Sequence, residues 1–300
     1  MQVECVENFN VKNLTSLKIG GAIARCYFPK SVDEFVEVAR IECGAKVFGN
    51  FSNTLVSSDG YDGTVIVTSK MDNIKIDGVK VFAQCGVKGP KLSQTVAKHG
   101  LSGFEFMIGF PGSVGGNVFM NASAHGQCIS DKLVKVVCYS EENGVFELTK
   151  DEMGFDYRTS RCQSESIVVL GAEFVLEEKN PDEIQKKMSE NLEFRKSHQP
   201  SLALPNCGSV FRNPEGNSAG KLLESIGAKE FSLGGVRVWE NHANFIVNTQ
   251  NATSEQVLGL MLKMFDGVKK KYNIELKPEV RYLGNNNENE VRLCGILNVK

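Results

Sequence analysis

Apolar residues recur along this chain in two rhythms, and the switches between them set the expected elements. Ser31-Val32-Asp33-Glu34 reads as a capping box, in which the serine accepts from a free amide and Glu34 reaches back. Phe35, Val38 and Ala39 then share one helical face, and Gly44 is the expected stop. Strand-like runs follow at residues 45–48, 64–68, 79–84, 133–139, 145–148 and 167–176, with a second short helix over 90–100. Residues 101–130, rich in Gly, Ser, Ala and Asn, have too little periodicity for a long helix. Asn180-Pro181-Asp182-Glu183 supplies a cap, a proline at the first helical position and acids at the positive dipole end. Ile184, Met188 and Leu192 then repeat every four residues, and a domain boundary is expected near this helix. Thr253-Ser254-Glu255-Gln256 is another capping box, and Val257, Leu260, Met261, Met264, Phe265 and Val268 form a stripe for packing on a sheet. Residues 285–290 are polar and of low complexity, which predicts a mobile tail before a short apolar run.

Composition narrows the class without choosing a function. Three hundred residues exceed one core, so two or three subdomains are expected, and 41% hydrophobic with 23% charged residues is ordinary for a globular chain. A net charge of −2 provides no basic field for a nucleic-acid partner. No apolar stretch approaches the roughly 20 residues needed to span a bilayer, and the first residues lack the basic-then-apolar order of a secretory signal. The nine cysteines are scattered without CxxC spacing, which predicts reduced, buried thiols in a cytoplasmic protein. The four histidines are too far apart in sequence to suggest a metal site.

Five stretches could carry chemistry, and each has a plainer reading beside it. Gly109-Phe110-Pro111-Gly112-Ser113-Val114-Gly115-Gly116-Asn117 lets backbone amides approach phosphate oxygens with no Cβ in the way, or is simply a tight turn. It lacks the dinucleotide GxGxxG spacing. Gly49-Asn50-Phe51-Ser52-Asn53-Thr54 offers side-chain donors to phosphate, or closes an Asx-type turn. Tyr157-Arg158 presents a guanidinium fork suited to a carboxylate, or to a surface ion pair. Ser209 follows Gly208 at the head of a strand-like run but lacks the Gly-x-Ser-x-Gly elbow of a serine hydrolase. Glu279 lies on an extended stretch after Pro278, where a solvated charge is the ordinary reading.

Taken together, the order and wording of these stretches resemble the UDP-N-acetylenolpyruvoylglucosamine reductase family. The likeness runs from Thr15-Ser16-Leu17-Lys18-Ile19-Gly20-Gly21 to Glu279-Val280-Arg281. It includes Pro-Gly-Ser-Val-Gly-Gly at 111–116, Tyr-Arg at 157–158, Gly-Ser-Val-Phe-Arg-Asn-Pro at 208–214 and His-Ala-Asn-Phe-Ile-Val-Asn at 242–248. The resemblance implies an α+β chain: a two-part FAD-binding module of the vanillyl-alcohol-oxidase-like type over 1–180, an α+β substrate domain over 181–284, and a tail over 285–300. The spacing is similar to the shorter type, without an extra tyrosine-bearing loop.

The implied reaction is two hydride transfers, from NADPH to FAD and from the flavin to the enolpyruvyl group of UDP-N-acetylglucosamine enolpyruvate, in a cytoplasmic, monomeric protein. Arg158 matches the arginine that stabilises the developing enolate, Ser209 the general acid and Glu279 the assisting carboxylic acid. Implied FAD contacts are Gly49, Asn50, Phe51, Ser52, Asn53, Thr54, Pro111, Gly112, Ser113, Gly115, Gly116, Asn117 and Ala122. Arg212 and Asn213 are the candidates for the substrate's diphosphate and uridine. Phe51 stands where the family commonly has glycine, Asn117 for a usual alanine, Ser123 for a usual glycine and His198 for a common threonine. Competing readings are another flavin oxidase or dehydrogenase of the same superfamily, and a non-catalytic relative that has lost flavin through Phe51.

Overall fold

In a computed structural model that describes residues 3–201 and 203–299, the expected elements form in the expected order. Seven α-helices run α1 Val32–Ile41, α2 Gly89–Lys98, α3 Val114–Phe119, α4 Pro181–His198, α5 Ala219–Ser225, α6 Ser254–Tyr272 and α7 Glu288–Leu297. Ser31 Oγ accepts from Glu34 N at 3.2 Å, while Glu34 reaches one residue further back than the motif implies, to Lys30 N at 2.8 Å. The helix stops at Ile41, before Gly44: the Glu42 amide makes the last helical bond, to the Val38 carbonyl, and Glu42 itself leaves helical geometry at φ −105° and ψ 63°. At α6 both halves of the Thr253/Gln256 capping box are made, and left-handed Asn273 ends the helix.

The chain divides into two compact units built from interleaved segments. The first takes the chain up to Cys5, Cys26–Asn50 and Thr64–Arg195; the second takes Val6–Arg25, Phe51–Gly63 and the chain from Lys196 onward. In the first unit, strands Gly144–Thr149, Leu133–Ser140, Val168–Val175, Lys80–Gln84 and Ile74–Asp77 make a five-stranded antiparallel sheet in that order. Its neighbouring strand pair, Lys46–Phe48 with Tyr61–Val67, runs parallel through Val47↔Ile66. The core joins Phe35 and Val38 of α1 to Leu92 and Val96 of α2 and to Val136, Leu170 and Phe174 of the sheet. Each of these aliphatic or aromatic side chains gains about 1.5–3 kcal/mol from burial. The segment 101–130 forms no long helix, as its composition predicts: it carries the six-residue α3 with short 3₁₀ turns at Glu105–Gly109 and from Ile129.

In the second unit, strands Asn206–Ser209, His242–Asn248, Val236–Trp239 and Ser232–Leu233 make an antiparallel sheet covered by α6. Leu258, Leu260, Met261 and Met264 of that helix are fully buried in a core that reaches back to Leu17, Ile19 and Leu55.

The stretch 285–300, expected to begin as a mobile tail, is instead folded where it is described. Asn287 caps α7 by accepting from Glu290 N at 3.0 Å, and Leu293, Cys294 and Leu297 are buried. The polar run is therefore a helix start rather than a low-complexity linker. Glu290, 1% exposed, explains the order: its carboxylate accepts from Ser254 Oγ at the head of α6 and from Tyr282 Oη at 2.6 Å. Ser254 and Ser58 exchange bonds in turn, Ser58 N donating to Ser254 Oγ at 2.7 Å and Ser254 N to Ser58 Oγ at 3.0 Å. The burial and the Glu290 bond together push the Tyr282 phenol well above its usual range.

The cysteine expectation needs one amendment. All nine are free thiols, yet Cys5 and Cys43 are exposed and Cys128 is half-buried, so only six are buried. Among the described residues, no helix is long and apolar enough to cross a membrane.

Replacing Glu290 with Ala strands the hydroxyl of Tyr282 and leaves that of Ser254 to Ser58 alone, which costs about 1–3 kcal/mol at the usual toll for a buried unsatisfied group. Urea unfolding should show that loss, and a wild-type midpoint would mean the network is not holding α7.

Candidate active site

The two glycine-bearing loops of the first unit meet closely. A Cβ on Gly49 would lie 2.1 Å from Ser113 Oγ, so only glycine fits there without displacing the serine. Asn50 Nδ2 reaches the Pro111 carbonyl at 3.5 Å. The Pro111–Asn117 turn is itself pinned by backbone: Val114 N donates to Val87 O at 2.8 Å, Gly115 N to Cys85 O at 2.8 Å, and Gly89 N to Gly112 O at 2.9 Å. A Cβ at Gly115 would approach that of Cys85 to 2.9 Å. Ser113 caps the short helix α3, accepting from Gly116 N at 3.4 Å. Ala122 closes the turn after α3 by donating its amide to Asn117 O at 2.8 Å.

These residues fit a phosphate-bearing cofactor on two counts. Gly116 leaves the backbone approachable, since a Cβ there would meet nothing nearer than Ser113 Oγ at 3.6 Å. Asn117 is buried, and its Nδ2 has no hydrogen-bond partner among the described residues. Buried amide donors are normally paired.

The remainder of the first loop belongs to the second unit. Phe51 lies in the left-handed region at φ 48° and is only 3% exposed. The glycine common at this place in the family would hold that conformation freely. A phenylalanine pays about 1–3 kcal/mol of backbone strain, which burial of its ring offsets at about 1.5–3 kcal/mol. Ser16 Oγ donates to Ser52 O at 3.0 Å, Asn53 Nδ2 to Glu279 O at 2.9 Å, and Thr54 pairs with Arg281 in a short parallel bridge.

Arg158 is presented by a turn of the first unit. Asp156 and Thr159 exchange backbone bonds at 3.2 and 3.1 Å, and Arg158 sits between them at φ 55°. Gln163 Nε2 donates to its carbonyl at 2.9 Å. Its Nη1 donates to Ser123 Oγ at 2.7 Å, and the guanidinium lies 5.4 Å from the Tyr157 ring centroid. His125 is held at φ 53° with its ring edge-on to Phe194 at 5.2 Å, and burial lowers its pKa.

In the second unit, Ser209 and Glu279 are carried by neighbouring backbone. Val210 O accepts from Glu279 N at 2.8 Å, Phe211 bridges Pro278, and Arg212 N donates to Lys277 O at 2.8 Å. The other side of the same segment is clamped by Asn244, which is 3% exposed. Its Oδ1 accepts from Phe211 N at 3.0 Å, its Nδ2 donates to Phe211 O at 2.8 Å, and its carbonyl accepts from Val210 N at 2.9 Å. Gly208, at φ 80°, and the irregular pairing between Asn206 and Ser209 turn the serine out of a regular ladder. Burial, with the charge of Glu279 nearby, pushes the Cys207 thiol up to about 12.

Arg212 is half-buried and its Nε has no partner among the described residues. Burial, and then the charge of Arg212, lower the pKa of Arg281, a residue not among those singled out from sequence. Asn213 Oδ1 instead accepts from Ala219 N at 3.0 Å, which ties it to the start of α5. A cavity of about 720 Å³ beside that helix is lined by Gly216, Asn217, Ser218, Lys221, Leu222 and Tyr272, none of them an expected site residue.

Asn244 and Ser123 are the contacts that sequence reading missed, since neither a buried carboxamide nor a hydroxyl beside a tight turn has a periodic signal. Substituting Asn244 with Leu leaves the Phe211 amide and carbonyl unpaired and should cost about 2–4 kcal/mol. Chemical denaturation measures this; a loss under 1 kcal/mol, roughly the neutral-bond value, would show the clamp to be dispensable.

Comparison with known proteins places these features. The model of an FAD binding domain matches residues 18–144, and that of the UDP-N-acetylenolpyruvoylglucosamine reductase C-terminal domain matches residues 199–283. The reductase of Caldicellulosiruptor saccharolyticus is 36% identical over 95% of this chain and 93% of its own length. That of Caldanaerobacter subterraneus is 40% identical over 92% of this chain and 93% of its own. The crystal structure of the UDP-N-acetylenolpyruvylglucosamine reductase from Thermus caldophilus superposes with a TM-score of 0.80 at 30% identity, covering 94% of this chain and 99% of that one. An α+β fold with an FAD-binding module and the full-length likeness agree, and this chain belongs to the UDP-N-acetylenolpyruvoylglucosamine reductase family of FAD-dependent oxidoreductases.

Proposed function

We propose that this chain uses NADPH to reduce UDP-N-acetylglucosamine enolpyruvate to UDP-N-acetylmuramate, in the cytoplasm, for peptidoglycan precursor synthesis. The observation that carries the reading is the backbone bond from Glu279 N to Val210 O, which fixes the expected acid Ser209 and the expected carboxyl Glu279 on adjoining segments. We divide the work at about residue 180: the FAD-binding module over 1–180, the substrate domain over 181–284.

Gly49, Asn50 and Phe51–Thr54, with Pro111, Gly112, Ser113, Gly115, Gly116, Asn117 and Ala122, are the residues that would hold FAD. Backbone amides and the Asn117 carboxamide suit its pyrophosphate and polar edges. The chemistry FAD supplies when bound is hydride transfer, taken from NADPH and given to the terminal carbon of the enolpyruvyl group. Arg158 holds the substrate carboxylate through its planar fork of donors. As the terminal carbon becomes a methyl group, negative charge develops on the neighbouring carbon and its carboxylate, and the fixed cation stabilises it. In its protonated form the carboxyl of Glu279 shares that charge by donating a hydrogen bond. Ser209 Oγ then delivers its proton to the carbon bearing the carboxylate and is reprotonated from solvent. Arg212 and Asn213 bind the diphosphate and uridine of the substrate.

Two measurements test this. Flavin reduced anaerobically by NADPH should reoxidise when the enolpyruvyl substrate is added, and Ser209→Ala should slow that step by about 10²–10⁴-fold with flavin content intact. Unchanged reoxidation in that variant removes Ser209 from the reaction. Gly49→Ala must displace the Ser113 hydroxyl, an overpacking cost of about 1–3 kcal/mol. FAD titration of the stripped protein should accordingly show binding weakened about tenfold, and wild-type affinity would take Gly49 out of the cofactor cradle.

A further inference from the structure

Ser123 has no role in the chemistry set out above, yet it makes a short side-chain bond to the proposed carboxylate-binding arginine. Its placement follows from local backbone. Ser123 and Ala124 pair antiparallel with Cys128 and Gln127, and the two residues between, His125 and Gly126, both take left-handed φ values of 53° and 75°. Two successive residues with positive φ are the hallmark of a tight two-residue hairpin, whose register fixes which way each flanking side chain points. The approach to this hairpin is tied to the arginine's own turn, since Asn121 Nδ2 donates to Asp156 O at 3.0 Å. Ser160 Oγ and Gln163 Nε2 both donate to Phe119 O, at 2.7 and 2.9 Å, and bind the far side of that turn to the end of α3. The approach to the hairpin and the turn are therefore held together by side-chain bonds to backbone carbonyls, apart from any bond between Ser123 and Arg158.

Across that frame the Arg158 Nη1 donates to Ser123 Oγ at 2.7 Å. A charge-assisted bond of this length orients a guanidinium more firmly than the ring of Tyr157, whose centroid is 5.4 Å away and which is 49% exposed. Within the turn, Asp156 Oδ1 accepts from Tyr157 N at 2.7 Å. The chemical type of the partner matters: a hydroxyl accepts a bond from the guanidinium without bringing a negative charge of its own.

From this geometry we infer that Ser123 is a positioning residue, which sets the guanidinium plane of Arg158 for the carboxylate of the enolpyruvyl substrate. The inference rests on the role proposed for Arg158. Because Ser123 acts through the arginine, its removal slows the step in which charge develops on the substrate and leaves FAD binding and flavin reduction alone. Loss of a single charge-assisted bond predicts about a tenfold decrease.

The experiment is a double-substitution cycle on FAD-loaded protein. Rates of anaerobic flavin reduction by NADPH, then of reoxidation by saturating UDP-N-acetylglucosamine enolpyruvate, are measured for wild type, S123A, R158A and the double variant. Flavin content and melting temperature are recorded for each. The expected result is reoxidation about tenfold slower in S123A with reduction unchanged, and no further slowing when S123A is added to R158A. Normal reoxidation in S123A beside a slow R158A overturns the positioning role alone. An S123A effect that persists in full in the R158A background, or that appears equally in flavin reduction, overturns it too, because Ser123 would then act on the fold or on the cofactor. Normal reoxidation in R158A would instead bring down the proposed role of Arg158 itself.

Discussion

The segment from Asn206 to Arg212 is bonded along both of its edges, and the chemistry of the second unit hangs on that double attachment. On one side Asn244 grips Phe211 through both faces of its carboxamide. On the other, Lys277 and Glu279 exchange backbone bonds with Arg212 and Val210. A strand of two or three bonds is weak alone. Flanked in this way it becomes an inner strand, with its amides and carbonyls paired out of water, and its side chains have few alternatives to their present directions. This ladder fixes the backbone that carries Ser209, Arg212 and Glu279.

A different solution serves Arg158 in the first unit. It rides a single turn closed by Asp156 and Thr159, at a positive φ that an arginine adopts only against resistance. Short polar tethers replace the missing strand neighbours: Gln163 to the Arg158 carbonyl, Asn121 to Asp156, Ser123 to the guanidinium. One functional group is thus fixed by a sheet and another by a knot of side-chain bonds. The second arrangement is the more sensitive to single polar substitutions, since each tether has no duplicate in a ladder.

Much of the architecture was legible in the sequence, for a physical reason. Capping boxes and apolar stripes are local, and α1, α4 and α6 arise where Ser31, Asn180-Pro181 and Thr253 announce them. Motif wording singled out Arg158, Ser209 and Glu279 as candidates by resemblance. What could not be read was long-range. Nothing near Asn244 says that its partner is Phe211, thirty-three residues earlier. The stretch 285–290 reads as a linker until Ser254 and Tyr282 are brought to Glu290. At Phe51 the departure from glycine was visible, but its consequence was not: the strained backbone and the buried ring offset each other in a balance that only coordinates reveal.

The interleaving of the two units bears on how the molecule is made. Leu17, Ile19 and Leu55 belong to the same core as Leu260, Met264 and Leu293. A ribosome synthesises the first three long before the others, and at translation rates of about 5–20 residues per second the interval is on the order of ten seconds or more. These side chains wait for those partners, while the sheet formed by residues 74–175 has all of its strands once residue 175 is made. Vectorial synthesis therefore favours early assembly of the first unit and leaves the second waiting for the last helices. The newborn chain spends that interval with an apolar N-terminal segment uncovered, a natural client for the chaperones that attend the ribosome exit.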